Sequence, residues 1–428
     1  MQKFFTSILC LTTVIFLQAQ NFQEISTGPG YNKQSFIKLS DGSQKQVNND
    51  AWDLAFTAFG FQDAGIFINE SSGSSMGQNL PLTELYYALT DDFNATIDLE
   101  AIKDYKYLNS EASWNFGAFN EVRDTLNPFD FGWGVYQPAS NRVIGNKVYV
   151  LKLRNGEYRK IKIESLTGTT YNFKYAKLDG SGEVTKTLNK LTDNKGQKLI
   201  FFSFTTNETV DVLPTGGFDL MYCRYISIAK DPNGTIVQQY NVTGVLTGPG
   251  ILTAEADGVN PTTVTYTDYT DKLSTQTDVI GYDWKTLTGI SWVLDSDKVF
   301  FVKTTDNHMW RLHFIDFEGS STGTAVMDKT DLGLFSSSND LVGIQTGIFP
   351  NPVDDQLILS LDITEATAND INIDITNING QIVANRVVKN HEGLKVFDIS
   401  TRDWNKGIYL VRISNGPNQI STKKIVKI

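Results

Sequence analysis

The chain says the same thing twice. "SFIKLSDGSQKQVNNDAWDLAF" (residues 35–56) lies without gaps on "FFSFTTNETVDVLPTGGFDLMY" (residues 201–222), with Trp52 over Phe218 at an offset of 218 − 52 = 166. Further on, "FGWGVYQPASNRVIGNKVYVLKLRNGEYRKIKI" (131–163) matches "YDWKTLTGISWVLDSDKVFFVKTTDNHMWRLHF" (282–314). There Trp133 meets Trp284 and Lys147 meets Lys298 at an offset of 284 − 133 = 151, and Gly168 and Gly319 keep it. The first copy carries 166 − 151 = 15 additional residues in its middle. Aromatic meets aromatic and turn meets turn, which predicts two copies of one unit.

The pattern inside each copy is that of strands. Aromatic and β-branched residues alternate with polar ones over short runs broken by Gly, Asn and Asp, so the expected fold class is all-β. Asn155-Gly156 and Asp306-Asn307 mark equivalent hairpin turns, since Asn, Asp and Gly tolerate positive φ. The Trp or Phe of the W/F-D-L-x-F/Y motif should face the core, with its Asp as a strand-end or turn acceptor. "LTELYYALTDDF" and "TIDLEAIKDYKYL" are the best helical patterns. A chain of 428 residues exceeds one ordinary core and predicts two or three domains.

The formal charge of −11 argues against nucleic acid and anionic membrane surfaces as partners, because both require a basic patch. The N-terminus reads as a signal peptide over residues 1–19: Lys3, an apolar run over residues 4–17, then Ala19 before Gln20. No other apolar run is long enough to span a bilayer, so the mature chain is expected to lack a transmembrane segment. Cys10 leaves with the leader and Cys223 remains alone, as a buried small hydrophobe or a reactive thiol; the mature chain is expected to have no internal disulfide.

"AWDLAFTAF" with "IFINESSG", "FFSF…GGFDLMYCRY", "VIGYDWK" and the two hairpins resemble the HmuY family of secreted or surface haem-binding β proteins. The resemblance implies HmuY-like β domains over 22–190 and 195–334, a departure from the single copy usual in the family, with haem or another hydrophobic ligand as the candidate cofactor. Axial ligands vary in that family, and no ligand position is carried over. The tail, "GIFPNPVDDQLILSLD … INIDITNINGQIV … WNKGIYLVRIS … STKKIVKI", is similar to the type A sorting domain of the type IX secretion system, through Pro350-Asn351-Pro352, Asn379-Gly380, Gly407-Ile408-Tyr409 and Lys423-Lys424; Trp404 stands where that family more often has Leu. This implies an Ig-like β-sandwich over 348–428 after a linker at 335–347. It also implies the type IX machinery as partner, and a tail removed on release or surface attachment. "KGIYLVRI" supports a separate module, with Tyr409, Val411 and Ile413 on one face and Ile408, Leu410 and Arg412 on the other.

"DNHMWRLHF" (306–314) holds two of the three histidines, and His308, Met309, Trp310 and His313 are the candidate ligand-binding residues. Strand alternation puts His308, Trp310, Leu312 and Phe314 on one face and Met309, Arg311 and His313 on the other. Met309 and His313 then lie about 13 Å apart along the strand. Any haem ligand pair must combine one of these residues with a group from another strand or loop. Glu157 and Lys162 stand opposite the histidines in the first copy, whose internal Met is Met76; Met221 and Met327 are further candidates in the second, and His391 is in the tail. The competing reading makes His308 a strand-edge residue and His313 a surface residue. Trp114, Phe116 and Phe119 are candidate lining for a flat ligand, or core. The acidic loops "TDDFNATIDLE" and "DSD" (295–297) could hold calcium or stand solvated. The sequence carries no recognised catalytic signature, and the expectation is no enzyme activity. The function expected is a secreted or surface-attached binding protein. The alternatives are an adhesion or partner-binding module without a small ligand, and a hydrolase built on unmarked carboxylates.

Overall fold

The computed structural model describes all residues except 1–20, 61–62, 77, 231–235, 336–343, 364–369, 390–392 and 416–419. The leader, His391 and most of the expected linker fall on residues outside that set. The described chain is all-β, as the alternation predicts. Of the two helical patterns, one is the strand Glu84–Tyr87 and the other supplies a single α-turn, Leu99–Ile102, capped by Asp98. Tyr86 and Tyr87 pair across to Val150 and Tyr149, and this ladder overrides a short helical periodicity.

Two sheets of the body share one strand order. In the first half it runs Glu84–Tyr87, Tyr149–Lys152, Tyr158–Thr167, Thr170–Ala176, Val184–Asn189. In the second it runs Leu252–Ala256, Val299–Lys303, His308–Phe317, Thr324–Leu334, and then Asn21–Ser26 from the far end of the chain. Asn21 pairs with Lys329 and Ser26 with Thr324, and the Thr27 N–H donates to Gly323 O at 3.0 Å. The hairpin turns are where the sequence puts them: Leu153 to Glu157 and Thr304 to His308 close the same backbone loop, with φ of 83° at Gly156 and 66° at Asn307.

The expected boundary between 190 and 195 does not separate two bodies. Lys33–Ile37 and Gln44–Asn48 form a sheet with Leu220–Lys230 and Ile236–Thr247. Leu54–Thr57 and Ile66–Ile68 form another with Leu199–Ser203 and Glu208–Val210. Each half lends strands to the other, which covers strand edges that two separate units would leave open. Similarity along a sequence shows which residues correspond; it does not show which strands pair.

The exchange explains the motif aspartates. Asp53 Oδ2 accepts the N–H of Phe204 at 2.7 Å, and Asp219 Oδ2 accepts the N–H of Leu39 at 2.8 Å while Oδ1 takes the Lys38 ammonium at 3.0 Å. Each aspartate thus ties off a strand of the other half. Trp52 and Phe218 are buried in one cluster with Phe36, Phe201, Met221 and Cys223, drawn from both halves. Trp133 and Trp284 are core, their indole N–H groups donating to Ala64 O at 2.9 Å and Gly281 O at 3.1 Å.

The tail is a sandwich of a three-stranded sheet (Ile344–Phe349, Gln356–Ile363, Gly393–Ser400) and a four-stranded one (Ile382–Val388, Ile371–Asn377, Gly407–Asn415, Ile420–Lys427). Tyr409, Val411 and Ile413 point into its core, and Ile408 and Leu410 point out, as the alternation predicts.

Candidate functional site

The strand His308–Phe317 lies inside its sheet, between Val299–Lys303 and Thr324–Leu334. Its register slips between His308 and Trp310, which face Leu334 and Asp331, because the partner strand carries an extra residue beside Gly333 (φ 89°). Trp310, Leu312 and Phe314 enter the second-half core, while Met309 enters a separate cluster with Phe301 and Phe335 on the opposite face. His308 Nδ1 lies 3.1 Å from both carboxylate oxygens of Asp331, and that hydrogen bond raises its pKa. His313 lies in register with Asp328; burial lowers its pKa, and its Nε2 is buried without a partner. The four residues nominated from sequence are therefore not gathered about one point. Trp310 is 5% exposed and packs in the second-half core.

A different site forms where the two halves meet. The segment Ile68, Asn69, Glu70, Ser71 and Ser72 of the "IFINESSG" motif is buried throughout, although it reads as a polar loop. Two arginines, one from each half, hold its carbonyls. Arg154 donates to Asn69 O at 2.9 Å and to Ser71 O at 2.5 Å, and Arg224 donates to Gly73 O at 2.9 Å and Ser72 O at 3.3 Å. Asn69 adds a bond from Gln34 at 2.9 Å, and Gln34 in turn accepts from Trp52 Nε1 at 3.0 Å. A buried polar loop is stable only when its groups are paired in this way.

This loop forms one wall of a slot of about 50 Å³, with Trp52, Phe67, Trp114, Met221 and Tyr225 among its apolar and aromatic lining. Trp114 lines the slot and also packs against the core cluster of Trp52 and Phe67, its indole N–H donating to Thr247 O at 2.6 Å. Phe119 is core, and Phe116 lies under the Arg123 guanidinium, 4.0 Å from its centre. Two acids, Glu70 and Glu111, line the slot, and Asp278 adjoins Glu111. Glu70 accepts the N–H of Asn109 at 2.7 Å, and burial, with the Glu111 charge adding, pushes its carboxyl up to about 8. Glu111 Oε1 accepts the N–H of Ile228 at 3.1 Å and bonds Asp278, whose pKa burial raises. Tyr225 is 4% exposed, lies within the fields of Asp278 and Glu111, and its hydroxyl has no hydrogen-bond partner. Cys223 lines the same slot as a buried thiol pushed up to about 12 by burial, which makes it a small hydrophobe at neutral pH. Sequence reasoning missed Glu70, Glu111, Tyr225 and Asp278. The one signal was an acidic residue, Glu70, two positions after the apolar strand Ile66–Ile68.

Haem requires a slot for its plane and an iron ligand within it. Pockets that enclose ligands of that order run to roughly 300–1,000 Å³. The slot at the seam and a second cavity of about 220 Å³, between loops 193–197 and 209–216, are smaller. The described residues do not fit an enclosed haem at the histidine strand.

Two family models match the chain. "HmuY protein" matches residues 30–179, and "Secretion system C-terminal sorting domain" matches residues 347–427. Residues 180–346 lie outside both matches. No curated protein matches. Among solved structures, the dimeric latent PorU from Porphyromonas gingivalis aligns at 8% identity over 97% of this chain and 34% of that one, with a TM-score of 0.20. The chain spans about a third of that protein's length. The C-terminal module marks the chain for type IX export, to be secreted or attached at the surface. No helix among the described residues is long and apolar enough to cross a membrane.

Proposed function

We propose that the chain is an exported binding protein, with a two-copy body that carries the recognition and a sandwich tail that delivers it. The observation that carries this reading is the pair of family matches, HmuY over 30–179 and the sorting domain over 347–427. The duplication is part of the proposal. At an offset of 151 = 285 − 134, the strand Gly134–Gln137 falls on Lys285–Thr288, and at 166 = 199 − 33, Lys33–Ile37 falls on Leu199–Ser203. The second copy is then a diverged relative of the first that exchanges strands with it.

Haem or another flat hydrophobic ligand is the lead candidate from the family match, bound at the surface and not in an enclosed slot. His308, half exposed at the end of its strand, is the imidazole best placed for such contact. A partner-binding reading has its own support. The hairpin Lys285–Thr288 and Ser291–Leu294 exposes Leu287, Ile290 and Val293, with Ile290 99% exposed at its tip. Haem titrated into the full chain should give a saturable Soret band that weakens in His308→Ala. An unchanged spectrum, with Ile290→Asp abolishing adhesion to host or bacterial surfaces, gives the function to the hairpin and removes haem.

A further inference from the structure

We propose that Lys190 and Asp63 join through an intramolecular amide bond, a covalent tie between the loop after the strand Leu54–Thr57 and the end of the strand Val184–Asn189. The tie is independent of the haem reading and shares no residue with it.

The two residues stand 127 positions apart, yet Lys190 Nζ lies 2.5 Å from Asp63 Oδ1. A carboxyl C–O bond of about 1.2 Å then puts the nitrogen within about 3.7 Å of the carboxyl carbon, near the separation from which such atoms react. Lys190 is held there by two carbonyls, Gly60 O at 2.8 Å and Asp63 O at 2.5 Å. Both side chains are 2% exposed, so water is kept from the pair. The fully buried Tyr171 ring lies 5.3 Å from the nitrogen, with Phe56 packed against it.

Amide formation requires a neutral amine and a protonated acid. Burial raises the Asp63 carboxyl and lowers the Lys190 ammonium, and both directions favour that neutral pair. The charges of Asp63 and Asp362 act on Lys190 in the opposite sense and are the smaller causes. A lysine desolvated in this way is a nucleophile. Its lone pair attacks Asp63 Cγ. The Phe59 N–H, 2.9 Å from Oδ2, and the Gly60 N–H, 3.1 Å from Oδ1, are placed to hold the oxygens as negative charge develops on them. One C–N bond forms and one C–O bond breaks. The oxygen leaves as water, carrying one proton from the carboxyl and one from the amine. No oxidant is consumed. The reaction also removes two charges whose burial is costly. Cys10 and Cys223 are the chain's two cysteines, and Cys223 is a free, buried thiol. The amide therefore cross-links the body without a disulfide.

The test is mass spectrometry of the full chain, intact and after denaturation and proteolysis. The expected result is a branched peptide joining Lys190 to Asp63, one water lighter than its two parts, with the intact mass lower by the same amount. Asp63→Ala and Lys190→Met should each lose the branched peptide and return to the mass of their own sequence. If neither variant folds, the parent protein decides alone. Separate peptides with Asp63 and Lys190 unmodified in the folded parent overturn the proposal and leave an ordinary buried ion pair. Loss of water without the branched peptide, as from a succinimide at Asp41-Gly42, overturns it as well.

Discussion

A hairpin follows each of the core tryptophans Trp133 and Trp284, and the two end in different places. In the first half Gly134–Gln137 and Arg142–Gly145 join the eight-stranded sheet, with Val143 in register with Leu166. In the second, Lys285–Thr288 and Ser291–Leu294 pair only with each other and expose their apolar tip. Glycine decides the difference. A Cβ at Gly145 would lie 1.7 Å from Ile163 O, and one at Gly134 2.6 Å from Ile144 O, so only bare backbone can approach this closely. The corresponding residues in the second half are Ser296 and Lys285. Lys285 reaches back to Thr243 O at 2.5 Å, with its ammonium 4.0 Å from the Trp284 ring and 4.9 Å from that of Phe317. The first hairpin approaches its sheet where Gly145 leaves bare backbone, and the second rests on the core through Trp292 and Leu294 while its tip, Ile290, stands in solvent.

The sharpest way to break this comparison is Gly145→Ser. It should detach the first hairpin and cost roughly 3 kcal/mol or more in denaturant unfolding, while Ser296→Gly should change stability by less than about 0.5 kcal/mol. Equal effects at both positions would remove glycine as the cause.

Next in size are two opposed pH dependences, one from each half. Glu70 is raised from 4.5 to about 8, so the folded state holds its proton where the unfolded chain has lost it. Its contribution to stability is full below pH 4.5 and falls as pH rises through 8, and Glu70→Gln should flatten that fall by on the order of a few kcal/mol. Lys285 is lowered from 10.5 to about 7 by burial, so its contribution is present above pH 10.5 and is lost as pH falls through 7; Lys285→Met should remove that slope. Thermal melts of both variants between pH 5 and 10 check the two signs. The smallest expected effect is Ile290→Ser, within about 0.5 kcal/mol of the parent, since the side chain touches solvent. A large loss of stability there would mean that the hairpin tip is packed and not free.

Much of the local structure was legible. The turns at Gly156 and Asn307, the inward Trp52 and Phe218, and the aspartates as strand-end acceptors all followed from residue type and spacing. The pairing across the halves did not, because alternation fixes which face a strand buries and leaves its neighbour open. The histidine strand drew attention as a rare combination of residues, yet its Met309 and Trp310 are ordinary packing on two faces of one sheet. The acid-lined slot went unseen for the opposite reason. Its residues are common ones scattered from Trp52 to Thr277, and only the fold brings them together.

The first strand of the body, Asn21–Ser26, pairs with its last, Thr324–Leu334, and the middle strands cross over between halves. The body therefore has no loose end from which it can be unzipped. A protease that nicks the loop between Asn189 and Leu199 cuts the chain without freeing either piece, because each fragment still holds strands the other needs to complete a sheet. For an exported protein, that interlock is a form of armour made from connectivity alone.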